Sequence, residues 1–183
     1  MRWPRPNRGR RPVWFDDFAS PIGRLVVAAD EEGVRHILFD RNRHGLPSGR
    51  SAWLRSPPRV VHARKQLEEY FEGERRRFDL PLMPIGTPFQ VLVWHTLATI
   101  PYGETWSYGQ LAKVIGEPES ARAVGAANGR NPIPIVLPCH RVIGADGSLT
   151  GFGGGLDKKA TLLRLEGALL VEEKKPVTGD LFG

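Results

Sequence analysis

Three short runs near the start of the chain are rich in apolar and β-branched residues, and turn-forming residues separate them. The runs cover residues 13–19, 23–29 and 34–39. The turns between them are Ser20-Pro21-Ile22-Gly23 and Asp30-Glu31-Glu32-Gly33. Short apolar runs bounded by such residues are typical of strands joined by tight turns. The pattern therefore predicts an antiparallel meander over this part of the chain.

A helical pattern follows a long polar stretch. Residues 41–58 carry Gly, Pro, Ser and Arg, so we predict a loop there. Apolar residues then recur at helical spacing and predict a helix that ends near Gly73. These residues are Val60, Val61, Ala63, Leu67, Tyr70 and Phe71. With a last strand predicted at residues 78–82, the first half of the chain is expected to form a small α/β unit.

After the proline-containing segment 83–88, which we interpret as a linker, the pattern changes to short helices. We predict four of them, over residues 89–100, 108–115, 119–127 and 157–166. Ser107 and Asp157 are the expected N-caps of the second and the fourth. The second and third are close in sequence, and this arrangement predicts a helix-turn-helix.

The predicted third helix carries an unusual set of small residues. Its positions around Gly125 hold Ala121, Ala123, Val124, Ala126 and Ala127. Small side chains let the backbone of a helix approach another surface closely. That surface is either a neighbouring helix or an external partner, and this segment alone leaves both interpretations open.

The composition and charge limit the class of protein. Apolar residues make up 40% and charged residues 25%, which excludes a long disordered chain, a collagen and a coiled-coil rod. No apolar run approaches the ~20 residues of a membrane span, and the first twelve residues do not form a secretory signal. We therefore expect no membrane partner.

The net charge is +6 and the pI about 9.9, which favours a polyanionic partner. The whole excess lies in residues 1–84, which hold 17 Lys and Arg against 11 Asp and Glu, whereas residues 85–183 hold nine of each. Five arginines lie among the first twelve residues, so we predict a disordered basic arm over 1–12. Contact with phosphates and a solvated tail both fit such an arm.

The chain has a single cysteine, Cys139. One cysteine forms no internal disulfide and supplies no multi-cysteine zinc site, and we predict no metal. A lone free thiol is typical of a reducing compartment, so we expect a cytoplasmic location. Cys139 is therefore either a small buried apolar residue or a group that acts alone.

The segment 131–142 carries the candidate chemistry, because its three prolines stiffen the backbone that delivers Cys139. In an extended chain, Cys139 and His140 point to opposite sides, so a relay through water is more natural than a direct thiol–imidazole pair. Glu166, at the end of the last predicted helix, is a candidate partner for the second imidazole nitrogen. Such a relay would lower the thiol pKa and supply a thiolate. The alternative is an inert Cys beside a structural His.

The run Pro138-Cys139-His140-Arg141-Val142 resembles the active-site signature of the methylated-DNA–protein cysteine methyltransferases, which repair guanine alkylated at O6. Other segments are similar to that family in the same order, without gaps, from about residue 87 to residue 167. They are Ser107-Tyr108-Gly109-Gln110-Leu111-Ala112 and Ala121-Arg122-Ala123-Val124-Gly125 in the helix-turn-helix, Asn131-Pro132-Ile133-Pro134 at the asparagine hinge, Gly151-Phe152-Gly153-Gly154-Gly155 in the active-site loop and Leu163-Arg164-Leu165-Glu166-Gly167 in the final helix. Ser20-Pro21-Ile22-Gly23-Arg24-Leu25 resembles the family's first hairpin.

The resemblance implies a mixed α/β (α+β) fold. It implies a small N-terminal ribonuclease-H-like α/β domain over residues 13–84, a C-terminal winged helix-turn-helix active-site domain over 85–171 and a flexible tail over 172–183. It also implies DNA repair by direct reversal, in which a base is flipped out of duplex DNA through the minor groove. The alkyl group then passes from O6 of guanine to Cys139. The implied protein is a monomer that needs no cofactor and reacts once, because it has no second cysteine to resolve the thioether.

The roles known in the family carry over to the matching positions. Cys139 is implied as nucleophile and acceptor, His140 as a base acting through water, and Glu166 as the acid that holds the imidazole. Asn131 is implied as the hinge and Tyr108 as the group that protonates the leaving guanine. The residues implied at the DNA are Arg122, which replaces the flipped base, and Tyr108, Ala121, Ala123 and Ala126. Those implied in the substrate pocket are Val142, Phe152, Gly153 and Lys159, with Phe152 standing where many members have tyrosine.

Three other functions stay open from the sequence. The first is a non-catalytic protein that recognises alkylated DNA, and the second is a transcription regulator that uses the helix-turn-helix. The third is a cysteine hydrolase, which needs a distant His, whereas His140 is adjacent to Cys139. Residues 179–182 faintly resemble a sliding-clamp-binding peptide, and an unstructured tail is the alternative.

Overall fold

The computed structural model of the chain describes residues 11–41 and 45–169. Most of the predicted basic arm lies outside this range, as do all of the predicted tail and the residues 179–182 that resemble a clamp-binding peptide. Among the described residues, no helix combines the length and the apolar character that crossing a membrane requires.

A four-stranded sheet forms the centre of the first half. The three predicted strands form the antiparallel meander as β1 (Trp14–Ser20), β2 (Gly23–Ala29) and β3 (Val34–Phe39). The strand order is β3-β2-β1-β4, in which β4 (Leu54–Arg55) runs parallel to β1. The predicted loop over 41–58 is therefore partly structured. Its strand was missed because two residues are too few to show an alternating pattern.

The first helix, α1 (Pro57–Phe71), packs on β1 and β2. Two prolines begin it, which is favourable because the N–H groups of a first helical turn have no partner within the helix. Val60, Ala63, Leu67 and Tyr70 are three or four positions apart and all buried. The apolar periodicity thus predicted this helix correctly.

The strand predicted at residues 78–82 does not form. Only Leu82 makes a bridge, to Val34. The amide of Val34 donates to the carbonyl of Pro81 at 2.8 Å, and the amide of Met83 donates to the carbonyl of Val34 at 2.9 Å. Pro81 has no N–H to continue a ladder, so the apolar run forms a single bridge instead of a strand.

The second half is mostly helical, as predicted. Its helices are α2 (Pro88–Leu97), α3 (Tyr108–Val114), α4 (Ala121–Gly129) and α5 (Leu156–Leu165). Two short strands, β5 (Trp106–Ser107) and β6 (Val142–Ile143), pair in parallel beside them.

Of the two N-caps predicted from the sequence, the one at Ser107 is confirmed. The structure shows a further cap, at Thr87, that was not predicted. Thr87 and Ser107 each begin a helix with a capping box, in which the hydroxyl accepts from the amide three residues later. The prediction that Asp157 caps α5 was wrong. Gly155, with φ 97°, is the cap, and Asp157 lies inside the first turn, where its negative charge is favourable to the helix dipole.

The two halves meet next to the segment 131–142. The amide of Ile37 in β3 donates to the carbonyl of Pro132 at 2.9 Å, and the rings of Phe39 and Phe152 lie 5.4 Å apart. Nζ of Lys158 in α5 donates to the carbonyl of Ile22, in the turn between β1 and β2, at 2.7 Å. The first half therefore contributes directly to the surroundings of Cys139.

Candidate active site

Asn131 folds the proline-rich segment back on itself. Its Nδ2 donates to the carbonyl of Leu137 at 2.7 Å, and its Oδ1 accepts from the amide of Ile133 at 3.0 Å. Between these contacts, Ile135 is fully buried with φ 75°, a left-handed conformation that costs a β-branched residue on the order of 1–3 kcal/mol. The side chain of Asn131 thus fixes the backbone that leads to Cys139.

Cys139 begins a 3-10 turn, Cys139–Arg141, and is 4% exposed. The prediction of an extended Cys-His pair was therefore wrong, because the chain turns at this point instead of continuing straight. Burial raises the pKa of the thiol to about 11, although the side chain of Asn131 and the charge of Lys159 act in the opposite direction. The expected lowering of the thiol pKa does not occur in this state, so the resting sulfur is protonated.

His140 and Glu166 form a buried pair. Nε2 of His140 and Oε1 of Glu166 are 2.7 Å apart, and both side chains are fully buried. A carboxylate accepts only, so Nε2 carries the proton and Nδ1 holds the lone pair. Nδ1 makes no hydrogen bond with any described residue. Because burial lowers the pKa of His140 more than Glu166 raises it, the imidazole is neutral and its Nδ1 is able to accept a proton.

Glu166 is held by more groups than the sequence indicated. Its Oε1 also accepts from the hydroxyl of Tyr70 at 2.7 Å, and its Oε2 accepts from Nε of Arg141 at 2.7 Å. Although burial acts against it, the hydrogen bonds from His140 and Arg141 lower the pKa of Glu166 to about 2. The carboxylate is therefore ionised throughout the neutral range.

Sequence reasoning missed Arg141 and Tyr70 as members of this cluster. Arg141 lies inside the run that resembles the family signature, so its position was a usable signal. Tyr70 is 96 residues away from Glu166. Its place in the apolar stripe of α1 identifies a core residue and nothing more, so no sequence pattern indicates its contact with the carboxylate.

A cavity of about 260 Å³ reaches Cys139. Asn131 and Gly153 line it from the second half, and His36, Phe39 and Leu46 are among the residues that line it from the first half. Apolar walls with a few polar groups are typical of sites for small apolar substituents. No pattern in the sequence indicated that the first half contributes to this cavity.

Of the four predicted pocket residues, Gly153 lines this cavity, whereas Val142, Phe152 and Lys159 are buried and are not among the residues that line it. Nζ of Lys159 donates to the carbonyls of Val142 and Thr150 at 2.5 and 2.6 Å. Burial lowers the pKa of Lys159 to about 8. These contacts hold the loop before α5 in place, and a role of the three residues in binding substrate stays a prediction.

α4 has two different faces, so its small residues both pack against neighbouring helices and remain exposed for an external partner. Val124 and Ala127 are buried, and the carbonyl of Ala127 accepts from Nε1 of Trp94 in α2 at 2.8 Å. Arg122, Ala123 and Ala126 are exposed, and Ala121 is half-buried. One face therefore packs against the core, and the other is free to approach a partner.

Tyr108, at the start of α3, lies against the half-buried side of α4. Its ring is close to Gly125, and its hydroxyl donates to the carbonyl of Thr150 at 3.1 Å. Burial raises the pKa of Tyr108, so the hydroxyl keeps its proton and remains a donor. Within the described residues, no group of three His, Cys, Asp or Glu is placed to hold a metal ion.

Two family models match the chain. The ribonuclease-like domain of 6-O-methylguanine DNA methyltransferase matches residues 17–84, and the DNA binding domain of the same family matches residues 88–168. The chain belongs to the 6-O-methylguanine DNA methyltransferase family. The predicted α/β fold, with a ribonuclease-like unit before a DNA-binding unit, is thereby confirmed.

Individual members of this methyltransferase family are similar over most of the chain. The methylated-DNA–protein-cysteine methyltransferase of Methanosarcina acetivorans is 49% identical over 156 residues, which are 85% of this chain and 99% of the relative. That of Mycolicibacterium paratuberculosis is 53% identical over 148 residues, 80% of this chain and 88% of the relative. The crystal structure of Mycobacterium tuberculosis OGT in complex with DNA has a TM-score of 0.79 and 46% identity, and covers 85% of this chain and 93% of that chain. The chain is accordingly an enzyme of DNA repair that transfers an alkyl group to a cysteine.

Proposed function

We propose that the chain takes the alkyl group from O6 of a guanine in duplex DNA and bonds it to Sγ of Cys139. The observation that carries this proposal is that the single cysteine of the chain lies at a cavity, next to the buried His140–Glu166 pair. A relative that is 46% identical has been crystallised with DNA, which supports DNA as the partner of this chain.

In the proposed reaction, one in-line displacement forms the sulfur–carbon bond and breaks the bond between the alkyl carbon and O6. The thiol proton passes to Nδ1 of His140, directly or through a water molecule, and Glu166 stabilises the imidazolium through Nε2–H. The leaving guanine gains a proton, for which the hydroxyl of Tyr108 is the proposed donor. The proposal assigns to Asn131 the role of the hinge that keeps Cys139 in line.

The target atom is inaccessible inside a duplex, so the proposal includes flipping of the base. The exposed face of α4, with Ala123 and Ala126, is small enough for a narrow minor groove, and Arg122 would occupy the place of the flipped base. The amide of Gly153, a residue that lines the cavity beside Cys139, is the proposed donor to O6.

A thioether is chemically stable, and the chain has no second cysteine to reverse it. We therefore propose that each molecule reacts once, as a monomer and without a cofactor. We also propose that the chain is divided into domains over residues 13–84 and 85–171 and is located in the cytoplasm. Phe152 is proposed to form a wall of the substrate pocket, where it lacks the hydroxyl that a tyrosine would supply.

The mass of the intact chain tests the proposed function. After incubation with a duplex that contains one O6-methylguanine, we expect a gain of one methyl group, located on Cys139 by peptide analysis, and no more than one for each chain. Cys139→Ser, which keeps a similar size and a hydroxyl, is expected to gain none. Tight binding of the methylated duplex without any mass gain would instead favour the non-catalytic recognition protein.

A further inference from the structure

We propose that the hydroxyl of Tyr70, on α1 of the first half, is a positioning group for the transfer reaction that limits how strongly Glu166 stabilises a protonated His140. This inference rests on the proposed function, because it assigns to His140 the role of proton acceptor. It concerns a residue that does not touch Cys139 and that lies outside the segments resembling the family's active site.

The contact is made inside the core and is shared with His140. Tyr70 is fully buried, and its hydroxyl lies 2.7 Å from Oε1 of Glu166, the same oxygen that binds Nε2 of His140 at 2.7 Å. Burial, together with the charge of Glu166, raises the pKa of Tyr70, so the hydroxyl is a permanent donor. Tyr70 and His140 therefore donate to the same carboxylate oxygen at the same distance.

The other charged or titratable groups around His140 and Glu166 also affect how easily His140 becomes protonated. Arg141, on the 3-10 turn, donates to both oxygens of Glu166, with Nε to Oε2 at 2.7 Å and Nη2 to Oε1 at 3.0 Å. Lys159, on α5, opposes a charge on His140. Tyr102, in the loop after α2, donates its hydroxyl to the carbonyl of Leu165 at 3.1 Å and makes no hydrogen bond to Glu166. Among the described residues, Tyr70 is thus the neutral side chain that competes with His140 for Glu166.

The competition has a direct consequence for the reaction. Each donor to Oε1 stabilises the carboxylate and weakens the hydrogen bond that Oε1 accepts from Nε2–H of His140. Without the hydroxyl of Tyr70, Glu166 would stabilise the imidazolium better, and His140 would become protonated at higher pH. Since a protonated His140 cannot accept the thiol proton, the acid side of the pH–rate profile should move to higher pH.

Tyr70→Phe in the full chain tests this, because the ring stays and only the hydroxyl is removed. The measured quantity is the single-turnover rate of methylation of Cys139 by saturating duplex with one O6-methylguanine, between pH 5 and 9. We expect the midpoint of the acid limb to rise by about half a pH unit, a loss of about threefold in rate below the midpoint, with the plateau retained. A purely structural role would lower the rate equally at every pH and leave the midpoint unchanged.

Tyr102→Phe is the matched control, because its ring packs against Tyr70 at 6.2 Å but its hydroxyl binds a backbone carbonyl. Its midpoint should equal that of the unchanged chain. A fluorinated tyrosine at position 70, a stronger donor, should move the midpoint to lower pH, and it keeps the test independent of whether Tyr70→Phe folds.

The outcomes separate this inference from the proposed function. Absence of methyl transfer by the unchanged chain would overturn the proposed function. Normal transfer with the same acid midpoint in the unchanged chain and in both Tyr70 variants would overturn the inference alone.

Discussion

A buried thiol is a poor nucleophile while it keeps its proton, and burial favours the protonated form of Cys139. Glu166, with a pKa of about 2, stays ionised and does not remove that proton in the neutral range. The neutral His140 beside it has a lone pair on Nδ1 and a partner that stabilises the charge it would gain. These residues favour loss of the thiol proton during the transfer step over a thiolate that already exists at rest. A protonated resting thiol reacts slowly with other electrophiles, which fits the proposal that each chain reacts once.

The pH dependence of stability offers a test at another residue of the cavity. Burial, with the charge of Arg35 nearby, lowers the pKa of His36 to about 4, and its ring stacks on Trp53 at 5.3 Å. The unfolded chain therefore binds a proton near pH 6.5 that the folded chain binds only near pH 4. The stability that neutral His36 provides is complete above pH 6.5 and is lost as the pH falls towards 4, by about 2 kcal/mol at pH 4.5.

Urea unfolding of the unchanged chain and of His36→Phe, at pH 7 and pH 4.5, measures this contribution. The phenyl ring keeps the stack on Trp53 but takes up no proton, so the loss of stability between the two pH values should be smaller by about 2 kcal/mol in the variant. His62→Gln, at an exposed position of α1, is the control and should behave as the unchanged chain does. An equal loss in His36→Phe and the unchanged chain would contradict the assignment.

At the scale of elements, α4 combines a face that is buried against α2 and α3 with an exposed face of small residues around Arg122. Replacing Arg122 by Ala should slow transfer from duplex DNA on the order of tenfold, since flipping loses its substitute in the base stack. Transfer from free O6-methylguanine needs no flipping and should be unchanged. Both rates are measured as methyl gain on Cys139.

The control for this prediction is Arg164→Ala, which removes the same charge from an exposed position of α5. It should leave both rates nearly unchanged. If Arg122→Ala slows the duplex and the free-base reactions equally, Arg122 supports the fold of the site and takes no part in flipping.

The sequence predicted elements wherever a local pattern decides the structure. The meander, the apolar stripe of α1 and the cap of α3 at Ser107 all depend on neighbours in sequence, and all were found. The strand predicted at 78–82 does not form because Pro81 has no N–H to donate to a neighbouring strand. The apolar pattern of the segment does not reveal this missing donor. The prediction of an extended chain at Cys139 was wrong because the chain forms the turn Cys139–Arg141 there, after the side chain of Asn131 has bound the carbonyl of Leu137.

The residues of the candidate site could be predicted from the sequence mainly where they lie close together in the chain. Cys139, His140 and Asn131 are close in sequence, and Glu166 was found as a candidate acid at the end of a helix. Tyr70 is brought to Glu166, and the first half to the cavity, by packing between distant segments. No periodicity in either segment carries that information.

At the scale of the whole molecule, the contacts between the two halves say more about the active site than the net charge does. The excess of +6 lies in the first 84 residues, whereas the surface proposed to bind DNA belongs to the second half, which has equal numbers of acids and bases. The first half acts through packing instead. Phe39 of β3 lines the cavity, contacts the ring of Phe152 and lies against Gly154, where any side chain would collide with it.

Phe39→Leu tests whether the first half shapes the active site. The shorter side chain loses the ring contact with Phe152, so we expect a stability loss of about 1–2 kcal/mol and a several-fold slower methylation of Cys139, as the loop 151–155 loses its support. Val27→Ala, at a buried position of the same sheet that does not line the cavity, should cost a similar free energy without slowing transfer. Unfolding in urea and single-turnover rates, both measured where each variant is fully folded, separate the two effects. Equal slowing in both variants would mean that transfer follows overall stability, and unchanged rates in both would mean that the second half holds its active site without the first.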